Sequence, residues 1–291
     1  MYKIYRIQNE LLTAQISNHG AELKSVISNE SNFEFIWQNN NEVWGRSAPI
    51  LFPIIGREIE NIYKINGKNY PIPQHGFARD SEFECEFIHE DEICFKLNHN
   101  NIDKSIYPFR FSLYINFRLK SNELIQEFKV VNEDDKKIYF SIGGHPAFKL
   151  PEKSFSSYEL SIPNNFLNNK ILKTYDNLLS DEFQLPNLVN HYATIDLDFK
   201  DGVKILELNG LSLITLKSLN DRYSITMKIP NFENLGIWAP HNFYEFICLE
   251  PWMGITGSLI KSKTIENKKG IIKLDTEKEY KCFFSIIFTH P

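Results

Sequence analysis

The chain has 291 residues, 42% of them hydrophobic, which is enough to bury a large core in one large domain or two smaller ones. Its formal net charge of -5, without any long Lys/Arg block, excludes the electrostatic footprint of a nucleic-acid-binding protein. No apolar stretch is long enough to cross a bilayer, and Met1–Arg6 lacks the apolar core of a signal peptide. We therefore expect a cytoplasmic protein without a membrane or nucleic-acid partner.

Short runs of β-branched and aromatic residues with period-two alternation follow one another along the whole chain. The runs that predict strands are Leu11–Ile16, Phe83–Ile88, Ile93–Leu97, Phe111–Leu119, Leu124–Val131, Ser212–Leu216, Ser224–Ile229 and Tyr280–Phe288. Asn66-Gly67 and Asn209-Gly210 each lie between two strand-like runs, a pattern that predicts tight hairpins. Helical periodicity is weak and predicts at most short turns, around Asn164–Asn169 and Leu172–Ser180.

Strand-like segments continue from end to end, and no Gly/Ser-rich or Pro-rich linker divides them. We therefore predict that residues 1–291 form a single all-β domain, a large antiparallel β-sandwich with few short helices. A small closed barrel would be overfilled by this many strands. The cysteines show no CxxC pair, so we expect reduced and mostly buried thiols at Cys85, Cys94, Cys248 and Cys282.

In three stretches a titratable side chain has glycine or proline neighbours, which fix the local backbone conformation. His145 lies in GGHPAF, Glu250 in CLEPWMG and His75 in PQHGFARD. A lone histidine between glycines is more often a turn residue, and Glu-Pro is more often an exposed corner. Together, however, an imidazole and a carboxylate are the parts of a general acid/base pair. We therefore expect proton-transfer chemistry on a small polar substrate.

Several motifs, taken in order, resemble those of the aldose 1-epimerase (mutarotase) family. They are FIWQ (Phe35–Gln38), WGRSAPILFPIIGR (Trp44–Arg57), QHGFAR (Gln74–Arg79), GGHPAF (Gly143–Phe148), GIW (Gly236–Trp238) and CLEPWMG (Cys248–Gly254). The resemblance covers nearly the whole chain and is closest to the LacX-like branch of the family. It implies a β-supersandwich of the galactose mutarotase type that interconverts the α and β anomers of an aldose.

The resemblance also implies roles for single residues. Glu250 matches the general base, which removes the proton from the anomeric hydroxyl, and His145 matches the general acid, which protonates the ring oxygen. His75 matches a second histidine that hydrogen-bonds near that oxygen. Such chemistry needs one acid and one base at neutral pH, so we expect no metal and no organic cofactor.

Further residues are candidates for binding the sugar. Arg57 matches the family's sugar-binding arginine, Asp201 is the best candidate for its substrate-binding aspartate, and Trp252 could form the floor of the pocket. Related hexose 6-phosphate mutarotases use arginines of the same loops to bind phosphate, which makes Arg46 and Arg79 candidates as well. We expect a neutral aldose, with a sugar phosphate as the alternative.

Other interpretations stay open at this point. Arg46 could pair with a nearby acid, and Arg79 with Asp80, instead of binding phosphate. Two histidines and a carboxylate could form a facial triad for iron, although His75 lacks a nearby acid at the usual spacing. A glycoside hydrolase would need a second carboxylate, for which Asp80 and Asp201 are the candidates. A non-catalytic carbohydrate-binding protein is the last alternative, and both a monomer and a homodimer are compatible with the sequence.

Overall fold

The computed structural model describes residues 2–163, 166–189, 192–194, 197–259 and 264–290. The strands of the first half are β1 (Ile4–Gln8), β2 (Leu12–Ser17), β3 (Glu22–Ser28), β4 (Ile50–Leu51), β5 (Ile62–Ile65), β6 (Lys68–Pro71), β7 (Glu84–Ile88), β8 (Glu92–Asn98), β9 (Phe111–Lys120), β10 (Glu123–Asn132), β11 (Ile138–Phe140), β12 (Ile142–Gly144) and β13 (Ala147–Lys149). Those of the second half are β14 (Tyr158–Ile162), β15 (Ile171–Tyr175), β16 (Leu178–Gln184), β17 (Asn187–Val189), β18 (Tyr192–Thr194), β19 (Lys204–Glu207), β20 (Leu213–Ser218), β21 (Ser224–Lys228), β22 (Asn234–Trp238), β23 (Phe246–Met253), β24 (Ile272–Leu274) and β25 (Glu279–Thr289).

Helix in the described residues consists of single 3-10 turns at Ile59–Asn61, Ala78–Asp80, His99–Asn101, Phe155–Ser157 and Ile265–Asn267, and Phe166 also has 3-10 conformation. In the described ranges, no helix has the length and apolarity needed to cross a membrane. The chain is thus built from strands, as the sequence predicts.

Two large sheets dominate the architecture. One has 10 strands in the order β17-β18-β14-β20-β21-β25-β10-β9-β8-β7. The other has 8 strands, in the order β16-β15-β19-β22-β23-β12-β4, with β13 paired to β23. Neighbouring strands are antiparallel, as in the pairs β9–β10 and β22–β23. A three-stranded sheet of β1, β2 and β3 and the two-stranded sheets β5–β6 and β11–β24 complete the fold. The predicted antiparallel β-sandwich is confirmed.

The main core lies between the two large sheets. Along β10, buried and partly exposed residues alternate without exception, so that one face of the strand is buried. Phe284 on β25 lies directly above Gly144 on β12, where a Cβ atom would be only 2.9 Å from the phenyl Cε1. Glycine at this position therefore allows the ten-stranded sheet to approach the eight-stranded sheet closely.

Strand β23 is buried on both faces, and this is what positions the site. Ile247 and Leu249 point into the core between the sheets. Because side chains alternate along a strand, Cys248, Glu250 and Trp252 point to the opposite face. That face is covered by loops instead of by a second sheet, so a carboxylate is buried at the base of a cleft.

One of the two predicted hairpins is confirmed and the other is wrong. Asn66 and Gly67 both have positive φ and connect the paired strands β5 and β6. Asn209 and Gly210 also have positive φ, but β19 before them belongs to the eight-stranded sheet and β20 after them to the ten-stranded sheet. The second turn is a crossing between sheets, because the adjacent Leu208 and Leu211 are buried in the shared core.

The segment Leu172–Ser180 corrects a further expectation, since it forms the hairpin of β15 and β16 instead of a helical turn. Its turn residues, Asp176 and Asn177, both have positive φ, which short polar side chains tolerate best. Asn164 lies outside the described residues. The eight strands predicted from alternation are all present, and the four cysteines are free thiols.

Candidate active site

A cleft of about 260 Å³ opens on the face of the eight-stranded sheet that points away from the core. The residues that line it are Trp44, Gly56, Gln74, His75, Arg79, His145, Asn177, Val203, Trp238, Glu250, Trp252 and Thr256. A wider cavity of about 540 Å³ lies beside Phe155, but its acidic residues, Glu159 and Asp198, are not buried. The smaller cleft is therefore the better candidate for an active site, because its titratable residues His75, His145 and Glu250 are buried.

Glu250 and His145 form a buried pair at the base of the cleft. The Glu250 Oε2 and His145 Nε2 atoms are 3.2 Å apart, and the two residues are only 1% and 6% exposed. Burial raises the pKa of Glu250 well above its usual range, with the nearby Trp252 indole acting in the opposite direction. Burial also lowers the pKa of His145 to about 3, assisted by the positive charges of Arg79 and Arg46. Both groups are thus pushed towards their neutral forms.

Two glycines make the space that Trp252 fills beside the carboxylate. Gly236 pairs with Glu250 across β22 and β23, and a Cβ atom there would lie 2.4 Å from Cζ2 of the indole. A Cβ atom on Gly143 would lie 3.1 Å from Cδ1 of the same ring. The indole therefore lies flat across the sheet, and its position depends on both glycines.

Aromatic rings fix the His145 side chain. The Trp44 ring stacks on the imidazole, with 5.0 Å between centroids and 28° between planes. Trp238 and His75 approach it edge-on, with centroid separations of 6.0 and 5.5 Å. Rotation of the imidazole is restricted by these contacts, so that its Nε2 atom stays directed at Glu250.

His75 is held by the backbone around Gly56. The backbone of His75 has a φ of 64°. The Nδ1 atom of its ring accepts a hydrogen bond of 3.1 Å from the Gly56 N–H. Since Nδ1 is an acceptor, the proton of the neutral ring lies on Nε2. Burial, and then the neighbouring His145, hold the pKa of His75 well below its usual value. The neutral ring therefore carries an N–H donor at Nε2, and the Gln74 amide nitrogen lies 3.4 Å from that atom.

Several buried polar atoms in the cleft have no hydrogen-bond partner among the described residues. They are Arg79 Nε, His145 Nδ1, Glu250 Oε2 and Trp252 Nε1. Glu250 Oε2 lies 3.2 Å from His145 Nε2, but the two atoms do not have hydrogen-bond geometry. Buried polar groups in proteins are nearly always satisfied, so these atoms mark where a polar ligand would be recognised. They lie beside the indole and imidazole rings, as suits a ligand with both hydroxyl groups and apolar C–H faces.

Comparison with known proteins assigns the chain to a family. The aldose 1-epimerase family model matches residues 3–270. The chain belongs to the aldose 1-epimerase family. It is 32% identical to the chromosomal LacX protein of Lactococcus lactis subsp. lactis over 297 residues, which cover 94% of this chain and 96% of that protein. Members of this family resemble it in structure as well as in sequence.

Two solved structures illustrate the structural similarity. A galactose mutarotase related enzyme from Lactobacillus acidophilus has a TM-score of 0.93 and 33% identity, covering 99% of this chain and 98% of its own. A galactose mutarotase-like protein from Lactobacillus casei has a TM-score of 0.91 and 28% identity, covering 99% and 100%. The aldose 1-epimerase family fold is therefore present over the whole length described.

The arginines that the family resemblance singles out are paired with acids. Arg46 and Arg79 share Asp80, with an Arg46 Nη2 to Oδ1 distance of 2.7 Å and an Arg79 Nε to Oδ2 distance of 3.7 Å. Arg79 lines the cleft, and burial lowers its pKa to about 10. Arg57 binds the exposed Asp176 at 2.7 Å and is not among the lining residues.

Asp201 lies outside the cleft that contains Glu250 and His145. It is exposed and lines a neighbouring cavity of about 170 Å³ instead of the cleft. The polar side chains that do line the cleft, and that the sequence did not single out, are Gln74, Asn177 and Thr256. Thr256 donates a hydrogen bond of 2.6 Å to the Asn177 carbonyl, so the two loops hold each other. Only the adjacency of Gln74 to His75 could have drawn attention to one of these residues.

Proposed function

We propose that this member of the aldose 1-epimerase family interconverts the α and β anomers of a neutral aldose. The observation that supports this best is the buried Glu250–His145 pair, 3.2 Å apart, in a cleft walled by tryptophan rings. A sugar ring has C–H faces that stack on aromatic planes and hydroxyl groups that satisfy buried polar atoms. The cleft volume of about 260 Å³ suits a single small sugar.

The reaction needs two proton transfers. Glu250, as a carboxylate, removes the proton of the anomeric hydroxyl, while His145, as an imidazolium, protonates the ring oxygen. The bond between the anomeric carbon and the ring oxygen then breaks to give the open-chain aldehyde, which rotates about its C1–C2 bond. Reversal of both transfers closes the ring on either face of the carbonyl and gives either anomer.

Burial of Glu250 and His145 favours proton transfer in the direction that neutralises both groups. The pKa shifts of Glu250 and His145 both indicate that the cleft disfavours a carboxylate and an imidazolium. Hydroxyl groups of the bound sugar stabilise the charged pair that begins the reaction. Ring opening then returns both groups to the neutral forms that a buried site favours, so the protein environment lowers the barrier to the open-chain intermediate.

His75 has a supporting role in this scheme. With Nδ1 accepting from Gly56, Nε2–H is the donor that His75 offers to the ring oxygen or a neighbouring hydroxyl, beside the Gln74 amide nitrogen 3.4 Å away. Because Nδ1 already accepts a hydrogen bond from Gly56, the ring is not free to change tautomer. Its loss should therefore reduce orientation of the sugar more than proton transfer.

The charge distribution supports a neutral substrate over a sugar phosphate. A phosphate would need two or more cations or amides converging on it. Of the candidate arginines, Arg46 and Arg79 both pair with Asp80, and Arg57 pairs with Asp176. A glycoside hydrolase is disfavoured as well, because Glu250 is the single carboxylate among the lining residues of the described structure.

The test is an anomer-exchange assay by NMR or polarimetry, with a panel of hexoses and pentoses and the 6-phosphates of the hexoses. We expect exchange of a neutral aldose well above the uncatalysed rate, and kcat/KM values for 6-phosphates no higher than those for the parent sugars. Absence of any exchange with sugars that bind would favour a carbohydrate-binding protein instead.

Arginine variants separate the two substrate classes. A phosphate clamp would lose about tenfold or more in kcat/KM for the 6-phosphates alone when Arg46 or Arg79 is replaced by alanine. Arg110→Ala is the matched control, since Arg110 pairs with Asp134 away from the cleft. A wild-type preference for 6-phosphates that collapses in Arg46→Ala or Arg79→Ala, but not in the control, would overturn the neutral-sugar proposal.

A further inference from the structure

A thiol lies next to the proposed catalytic pair and has no part in the reaction. Cys248 precedes Glu250 by two residues on β23, so that both side chains point to the same face of the sheet. The cysteine is fully buried, and neither stacking of the sugar nor proton transfer requires it. Its chemistry is that of a soft metal ligand.

Three different ligand types meet at this point. One nitrogen of His145, the Sγ atom of Cys248 and a carboxylate oxygen of Glu250 all lie within 4.8 Å of one another. In a tetrahedral zinc site, bonds of roughly 2.0–2.3 Å give ligand separations of about 3.3–3.7 Å. The His145 Nε2 to Glu250 Oε2 distance of 3.2 Å already fits. A movement of about 1 Å would close the set around an ion.

An unsatisfied carboxylate oxygen supports the same conclusion. Glu250 Oε2 has no hydrogen-bond partner among the described residues, although Glu250 is only 1% exposed. A thiolate and a carboxylate together neutralise a dication, and a neutral imidazole adds a third bond. A buried site can therefore hold the ion without net charge.

We propose that His145, Cys248 and Glu250 form a three-ligand site for a thiophilic divalent cation of the Zn²⁺ type, and that its occupation blocks the catalytic pair. Binding releases the thiol proton, and any proton held by Glu250, to solvent, and forms metal–sulfur, metal–nitrogen and metal–oxygen bonds. The ion takes the atoms that would move protons, so it acts as an inhibitor and not as a cofactor. The inhibitory part of this proposal depends on the proposed function, whereas the binding part does not.

Co²⁺ tests binding without reference to activity, because a thiolate–Co²⁺ bond gives a near-ultraviolet charge-transfer band. We expect one Co²⁺ per chain to produce this band, and excess Zn²⁺ to remove it. The band should be absent in Cys248→Ser and retained in Cys85→Ser, which removes the more accessible thiol. No band in the wild type, or a band that survives in Cys248→Ser, would overturn the proposal.

If Cys248→Ser does not fold, Glu250→Gln provides the same test by removing a different ligand. Its Co²⁺ affinity should fall by at least about tenfold, the lower end of the loss caused by removing even an outer-shell partner. An affinity equal to that of the wild type would contradict the site.

Inhibition is measured in the anomer-exchange assay. Zn²⁺ should inhibit the wild type reversibly, with recovery on addition of a chelator, and should inhibit Cys248→Ser at least about tenfold more weakly. Equal Zn²⁺ sensitivity of the two proteins would overturn the inhibitory role. A Co²⁺ band without any anomer exchange would reject the proposed function and leave the metal site supported. Anomer exchange without a Co²⁺ band would reject the metal site and leave the proposed function supported.

Discussion

Replacement of Glu250 by glutamine removes the proposed base and keeps the shape of the side chain. The amide cannot accept the anomeric proton, so kcat should fall by roughly 10²–10⁴-fold, the usual contribution of one general acid or base. Binding of the sugar should stay within a few-fold, because the hydrogen-bonding atoms and the neighbouring tryptophans remain. Glu84→Gln is the matched control, since Glu84 is exposed on β7 at the far edge of the ten-stranded sheet.

The same substitution should stabilise the protein, and the sign follows from the pKa of Glu250. Burial raises that pKa in the folded state above 4.5, so the folded protein binds the proton more tightly than the unfolded chain does. The resulting stability is fully present below pH 4.5 and is lost as the pH rises towards the folded pKa, by about 1.4 kcal/mol per pH unit. Glutamine does not titrate and avoids this loss.

We therefore expect Glu250→Gln to melt at least about 2 °C above the wild type at pH 7, with the difference shrinking towards pH 4. Calorimetry gives the melting temperatures, and NMR anomer exchange with the best sugar gives kcat. If kcat of Glu250→Gln stays within threefold of the wild type, the assignment of the base is refuted. A Glu250→Gln variant less stable than the wild type at pH 7 would refute the claim that burial of the Glu250 carboxyl group lowers the stability of the folded protein.

Three further outcomes follow from the site. His145→Asn should lower kcat by roughly 10²–10⁴-fold, and His75→Asn should lower it less; the reverse order would exchange the two assignments. Gly236→Ala places a Cβ atom 2.4 Å from the Trp252 ring and should displace that ring. A displacement near 1 Å at the site should cost up to about 10²-fold in kcat. Unchanged kinetics would show that the ring position is unimportant. Because burial lowers the pKa of His145 to about 3, kcat/KM should stay level from pH 7 down to pH 5, and an inflection near the ordinary histidine value of about 6.5 would contradict the buried pair.

The sequence predicted the strands well because alternation is a local property of each segment. It failed at Asn209-Gly210, where the turn chemistry was right but the partner strand was not. Pairing depends on which sheet buries the adjacent leucines, and that information is not local. The segment Leu172–Ser180 failed for a similar reason, since its burial is irregular and only pairing with β19 and β16 makes β15 a strand.

Within the site, glycine and proline residues around a titratable side chain predicted its location better than the presence of a charged side chain did. Glycines next to His145 indicated a fixed local backbone, and the structure shows that Gly143 and Gly144 leave room for Trp252 and Phe284. The direction of a long arginine side chain, in contrast, is set by its partner, here Asp80 for Arg46. Polar loop residues such as Asn177 carry no pattern at all, so only the fold could bring them to the cleft.

The central claim is that Glu250 and His145 act as one proton-transfer unit, and a double-mutant cycle tests it most directly. Anomer exchange is measured by NMR for the wild type, Glu250→Gln, His145→Asn and the double variant, on the neutral aldose that the wild type turns over fastest. Residues that act as a unit are strongly non-additive, so the double variant should be no more than about tenfold slower than the slower single variant. Losses that simply multiply, or wild-type exchange no faster than the uncatalysed reaction, would contradict the account.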